Sequence, residues 1–104
     1  IMVEKIFASL SGLFVTGAVE EPISYYFSLG EIKKTVRLSP EGCLVEDGRT
    51  VESADCVCKT SEEFFEKIWN EGYRPGMADF LSGKIKSNDP GGLQIFLKTF
   101  GKTA

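Results

Sequence analysis

Val3, Ile6, Phe7, Leu10, Leu13 and Phe14 recur at intervals of three and four residues, the spacing that gathers side chains on one face of an α-helix. This stripe predicts an amphipathic helix ended by Gly17, a residue suited to the backbone turn of a helix terminus. From Ile23 the period shortens to two. Ile23, Tyr25, Phe27 and Leu29 alternate with Ser24, Tyr26 and Ser28, as a strand with one buried face requires. Gly30-Glu31 turns the chain, and Ile32 to Leu38 returns as a hairpin partner with Ile32, Lys34, Val36 and Leu38 on one face. Ser39-Pro40-Glu41-Gly42 breaks that run, Cys43 to Glu46 makes a third strand, and Asp47-Gly48 is a tight-turn pair. Ala54 to Lys59 forms a fourth strand, with Cys56 and Cys58 on the same face.

Helical spacing then returns. Thr60-Ser61-Glu62-Glu63 has the form of a capping box with Thr60 as the cap, and Phe64, Phe65, Ile68 and Trp69 follow as an apolar stripe up to Gly72. Arg74-Pro75 predicts a new helix start, with Met77, Phe80 and Leu81 sharing a face until Gly83. Lys84 to Asn88 reads as a short strand. Asp89 as cap and Pro90 as first helical residue open a last helix, in which Leu93, Phe96, Leu97 and Phe100 lie on one side and Gly101 ends the run. The expected architecture is α+β: one domain over residues 1–104, with an antiparallel-dominated sheet of about five strands covered on one face by helices.

Composition narrows the chemistry. The 104 residues are 42% hydrophobic and include eight phenylalanines, enough apolar area for a core, a partner surface or a ligand cavity. The formal charge is -3 and no basic run occurs, which opposes nucleic-acid binding. A local basic face around Lys84, Lys86, Lys98 and Lys102 is the exception, and it suits transient contact with an anionic membrane surface equally well. No apolar stretch reaches the length of a membrane-spanning helix, so a soluble, cytoplasmic protein is expected. Histidine is absent, which removes the commonest general base and the usual partner of a nucleophilic serine or cysteine. The odd set of Cys43, Cys56 and Cys58 lacks zinc-site spacing and reads as reduced core thiols, so neither metal nor cofactor is expected. Lys34 reads as an edge-strand lysine that snorkels to water and discourages edge pairing, in preference to a ligand contact. Gly91-Gly92 reads as room for a close helix approach rather than an anion cradle, because Asp89 would repel an anion.

From Ala54 to Leu97 the order of residue types resembles the second half of sterol carrier protein-2 domains. Ala54-Asp55-Cys56-Val57-Cys58 is similar to one strand of that family, and Ser61-Glu62-Glu63-Phe64-Phe65 to the acidic, aromatic start of the helix that follows it. Pro75, the segment Phe80-Leu81-Ser82-Gly83-Lys84-Ile85-Lys86 and Gly92-Leu93 continue the likeness in order. The resemblance implies a sheet covered by helices, with an apolar tunnel between them that accepts fatty acids, acyl esters or sterol-like lipids. The residues it offers to a ligand are Phe65, Ile68, Trp69, Met77, Phe80, Leu81, Leu93, Phe96, Leu97 and Phe100. The resulting expectation is a non-enzymatic module that binds, and in the fuller form transfers, a hydrophobic molecule. The alternative is an accessory interaction domain whose phenylalanines have closed the cavity.

Overall fold

The computed structural model describes residues 2–102. The alternating segments become strands β1 (Ile23–Leu29), β2 (Ile32–Ser39), β3 (Gly42–Asp47), β4 (Cys56–Thr60) and β5 (Ile85–Ser87). The helical stripes become α1 (Met2–Ala8), α2 (Leu10–Leu13), α3 (Glu62–Glu71), α4 (Met77–Leu81) and α5 (Pro90–Thr99). One sheet holds all five strands in the order β3-β2-β1-β4-β5. β1 pairs antiparallel with β2, β2 with β3 and β4 with β5, while β1 and β4 run parallel.

The parallel pair needs a crossover. After β3 the chain crosses the sheet face opposite the core: Thr35 donates its hydroxyl to the Gly48 carbonyl at 2.7 Å and accepts from the Thr50 amide at 3.0 Å. Asp55 then fixes the register of β4 beside β1. Its carboxylate accepts from the Ser24 amide at 2.9 Å, and its own amide donates to the Ser24 hydroxyl at 3.0 Å.

Alternation in β1 aims Tyr25, Phe27 and Leu29 at the core, each no more than 1% exposed. Three helices converge on Phe27 from that side. Its ring lies 5.4 Å from Phe7 of α1, 5.7 Å from Phe65 of α3 and 4.8 Å from Phe96 of α5, in tilted and edge contacts that suit aromatic quadrupoles. The helical cover on one face therefore has a single aromatic centre. At the start of α5, Asp89 caps the Gly92 amide at 3.1 Å, and Tyr25 donates its buried hydroxyl to the Gly92 carbonyl at 2.7 Å. Gly92 permits that approach, because a Cβ there would meet Cys56 Sγ at 3.2 Å.

Four sequence expectations change. The N-terminal stripe breaks at Ser9, whose hydroxyl donates to the Ile6 carbonyl at 2.7 Å and competes with the helical backbone. Beyond α2 the chain is extended from Phe14. The cap of α3 is Ser61, not Thr60: Ser61 accepts from the Phe64 amide at 3.0 Å, while Thr60 stays in β4 and donates to the Lys84 carbonyl at 2.6 Å. Pro75 opens no helix, since α4 starts at Met77, where the Gly76 amide donates to Asp79 at 2.9 Å. Lys34 lies on an interior strand and is 7% exposed, so it neither guards an edge nor snorkels. Its ammonium pairs with Glu4 at 2.6 Å and Asp47 at 2.5 Å. Burial alone would lower its pKa, but the hydrogen bonds its ammonium donates to these two carboxylates outweigh that and hold it above the usual lysine value.

Candidate ligand-binding site

Beside the aromatic centre, between β4, β5 and the last three helices, lies an apolar cavity of about 80 Å³. Phe27, Cys58 and Ile85 form its floor on the sheet. Phe65 and Ile68 of α3, Phe80 of α4, and Leu93, Phe96 and Leu97 of α5 form its walls, with Pro75 and Pro90 at the joins. Only Arg74 and Gln94 bring nitrogen- or oxygen-bearing side chains to this lining. Pockets that hold drug-sized molecules measure about 300–1,000 Å³. The cavity therefore accepts a small fragment as it stands, and a sterol or long acyl chain needs one wall to move.

Six of the ten sequence candidates line the cavity: Phe65, Ile68, Phe80, Leu93, Phe96 and Leu97. Trp69 and Phe100 are core instead, 5% and 2% exposed, and stand behind the wall. Trp69 stacks on Phe65 with ring centroids 6.1 Å apart and tilts against Phe96 at 6.2 Å. Met77 and Leu81 lie outside this lining. They are 77% and 80% exposed, because α4 is so short that docking Phe80 turns its other apolar side chains outward. Phe27 was readable from its place in the β1 alternation, whereas Cys58, Ile85, Arg74 and Gln94 join the lining only through the topology.

α4 is the shortest of the helical walls, and none of its apolar side chains is fully buried. Phe80 packs inward, and the helix start is fastened by Asp79, whose carboxylate accepts from Tyr73 Oη at 2.6 Å and from the Gly76 amide at 2.9 Å. The Tyr73 hydrogen bond, then the Gly76 amide, with Lys84 and Lys67 nearby, hold the Asp79 carboxyl below the usual carboxylate range. The same contact raises the Tyr73 phenol. A carboxyl depressed by folding contributes stability above its unfolded value and loses it as pH falls through the folded one. This contribution is therefore present at neutral pH and is lost in acid. Asp79→Asn at neutral pH is expected to lower hydrogen-exchange protection across residues 77–81 while leaving β1 and β2 protected; equal protection in both proteins would show that Asp79 fastens nothing.

Cys56 and Cys58 face the core, and burial pushes their thiols up to about 11 and about 12. Thiolate chemistry at neutral pH is suppressed at both. Among the described residues, no group of three or more histidine, cysteine, aspartate or glutamate side chains is arranged to hold a metal ion, and no helix is long and apolar enough to cross a membrane.

No family model matches the chain, and no curated protein matches it. Solved structures do. The inverting sec-alkylsulfatase Pisa1 from a Pseudomonas species aligns over 93% of this chain at 14% identity with a TM-score of 0.74, and the chain spans 16% of that enzyme's length. UbiJ-SCP2, a ubiquinone synthesis protein, aligns over 94% of this chain and 87% of its own, at 15% identity and a TM-score of 0.67. Sterol carrier protein 2 from Yarrowia lipolytica aligns over 77% of this chain and 69% of its own, at 17% identity and a TM-score of 0.52. The likeness rests on backbone arrangement rather than on shared residues, and on that basis the chain is a domain of the sterol carrier protein-2-like fold.

Proposed function

We propose that the chain binds a hydrophobic ligand between the sheet and helices α3, α4 and α5. The observation that carries this reading is the apolar cavity, lined by Phe27, Phe65, Phe80 and Phe96 and closed by a five-residue helix. Outward movement of α4 would merge the cavity with solvent-facing space and admit an acyl chain, whose burial is worth about 25 cal/mol per Å² of apolar area. The names of the sterol carrier protein 2 and UbiJ-SCP2 neighbours support a lipid as the occupant. Met77 and Leu81 on the outer side of α4 offer apolar contact to a membrane surface during uptake. The work is done by burial and requires no catalytic group on this chain.

A second reading has its own support. The cavity is small and the surrounding rings already pack on one another, as they would in an accessory domain with no ligand, and the alkylsulfatase alignment shows that this fold occurs within a larger enzyme.

Trp69 separates the two, since it is the only tryptophan and touches two cavity walls. Fatty acids, acyl esters or sterols are expected to change its emission saturably and to raise the melting temperature, as a ligand specific to the folded state must. Short-chain analogues should do so weakly. Absence of both responses across these lipids would favour the accessory domain.

A further inference from the structure

The cavity lining is apolar except for Arg74 and Gln94. Arg74 reaches its lining from the segment between α3 and α4, and its side chain is only partly buried. The guanidinium is held by backbone: it donates to the Tyr73 carbonyl at 3.2 Å and to the Lys102 carbonyl. Among the described residues its charge meets no carboxylate, since the ion pairs there are those of Lys34 with Glu4 and Asp47 and of Arg37 with Glu46. The nearby acid, Asp79, is occupied by Tyr73 and Gly76. A second cation stands close by, because Lys102, whose carbonyl accepts from Arg74, places its ammonium 5.1 Å from the centre of the Trp69 ring. Gln94 adds an uncharged polar group to the same lining.

A guanidinium orients ligands well. It stays charged at every working pH, carries five donors in a rigid fork, and matches the geometry of carboxylate, sulfate or phosphate oxygens. Two backbone carbonyls use part of that fork and fix its position, which leaves donors for another acceptor. An alkyl chain among Phe65, Phe80 and Phe96 would then end beside a fixed positive charge in a partly desolvated setting, where charge-assisted hydrogen bonds are strongest.

Resting on the ligand-binding reading above, we infer that Arg74 makes the site selective for amphiphiles with an anionic head group over neutral or cationic ones of equal chain length. Arg74 is the residue that determines this specificity, Gln94 assists as a neutral donor, and the phenylalanines set the tail's environment without regard to charge.

The test compares dodecanoate, dodecanol and dodecyltrimethylammonium, all below their aggregation concentrations, by titration calorimetry on the full chain. Dodecanoate is expected to bind about tenfold to a hundredfold more tightly than dodecanol, the range that one charge-assisted hydrogen bond supplies, and the cationic probe more weakly than either. Arg74→Gln should abolish the preference by weakening dodecanoate far more than dodecanol, and Arg74→Lys should retain part of it. Lys102→Gln should keep most of the preference. Equal binding of dodecanoate and dodecanol by the wild-type chain overturns the inference and leaves the ligand-binding reading standing, whereas binding of none of the three overturns both. Loss of the preference in Lys102→Gln but not in Arg74→Gln also overturns the assignment. If Arg74→Gln fails to fold, the wild-type comparison decides the preference and Arg74→Lys decides the assignment, since an undiminished preference there overturns it.

Discussion

Phe96→Ala is expected to destabilise the protein by about 3–5 kcal/mol, the range for truncating a fully buried phenylalanine. A small domain has only about 5–15 kcal/mol in total, so the variant should lose a large share of its stability. Phe96 is 1% exposed and sits between Phe27 at 4.8 Å, Phe100 at 4.9 Å and Tyr25 at 5.0 Å. Its removal takes away contacts to the sheet and within α5 at once. The void would also adjoin the existing cavity, so a small apolar molecule such as benzene should recover part of the loss by binding the folded state. Urea denaturation of Phe96→Ala beside Ile95→Ala, a neighbour on the exposed side of α5, measures the difference. A loss below about 1 kcal/mol, no larger than an ordinary surface change, would contradict the packing described here.

The second large effect is steric. Gly92→Val should cost about 2–4 kcal/mol by overpacking and by loss of the helix cap. A Cβ at this position would stand 2.8 Å from Asp89 Oδ2 and 3.2 Å from Cys56 Sγ. Turning the aspartate aside would remove its bond to the Gly92 amide, and moving the helix would stretch the bond from Tyr25 Oη to the Gly92 carbonyl. Gly91→Ala is the informative control. Its nearest atom is Asp89 Oδ1 at an ordinary 3.5 Å, so better helix propensity should make that change neutral or mildly stabilising. A double-mutant cycle of Gly92→Ala with Cys56→Ala should show coupling, because the two sites touch.

Local chemistry made much of this fold legible. Asp89 and Pro90 start α5 where a cap and a pre-organised first residue should, and the alternation from Ile23 to Leu38 pairs as a hairpin in which Leu29 faces Ile32. Where the structure departs from the local signal the causes differ: a distant partner, a short element or a local side-chain bond. Thr60 has the form of a helix cap, but pairing with Ile85 keeps it in the sheet. Met77 and Leu81 share a helical stripe with Phe80, yet α4 has too few residues to bury more than one of them. Lys34 looked like an edge residue because nothing nearby in sequence announces that Glu4 will come to meet it across the fold. The cavity walls were partly readable for the same reason. Stripes on α3, α4 and α5 identify six lining residues, while Arg74 and Gln94 are polar side chains whose position depends on how three separate segments meet.

The order β3-β2-β1-β4-β5 also dictates a sequence of events in folding. The strand that comes first in the chain is the central one, and its two sides are filled at different loop costs. On one side Leu29 needs only a tight turn to meet Ile32, so β1, β2 and β3 can zip as a local meander. On the other side Tyr25 must find Cys56 in parallel register, a closure that spans the whole meander and the crossover. Mutations in the β1–β2 turn should therefore slow folding, and mutations in β4 or α5 should mainly speed unfolding. Until β4 docks, the central strand is an exposed edge bearing Tyr25 and Phe27, and that interval is when a crowded, newly made chain runs its greatest risk of pairing with a neighbour instead of with itself.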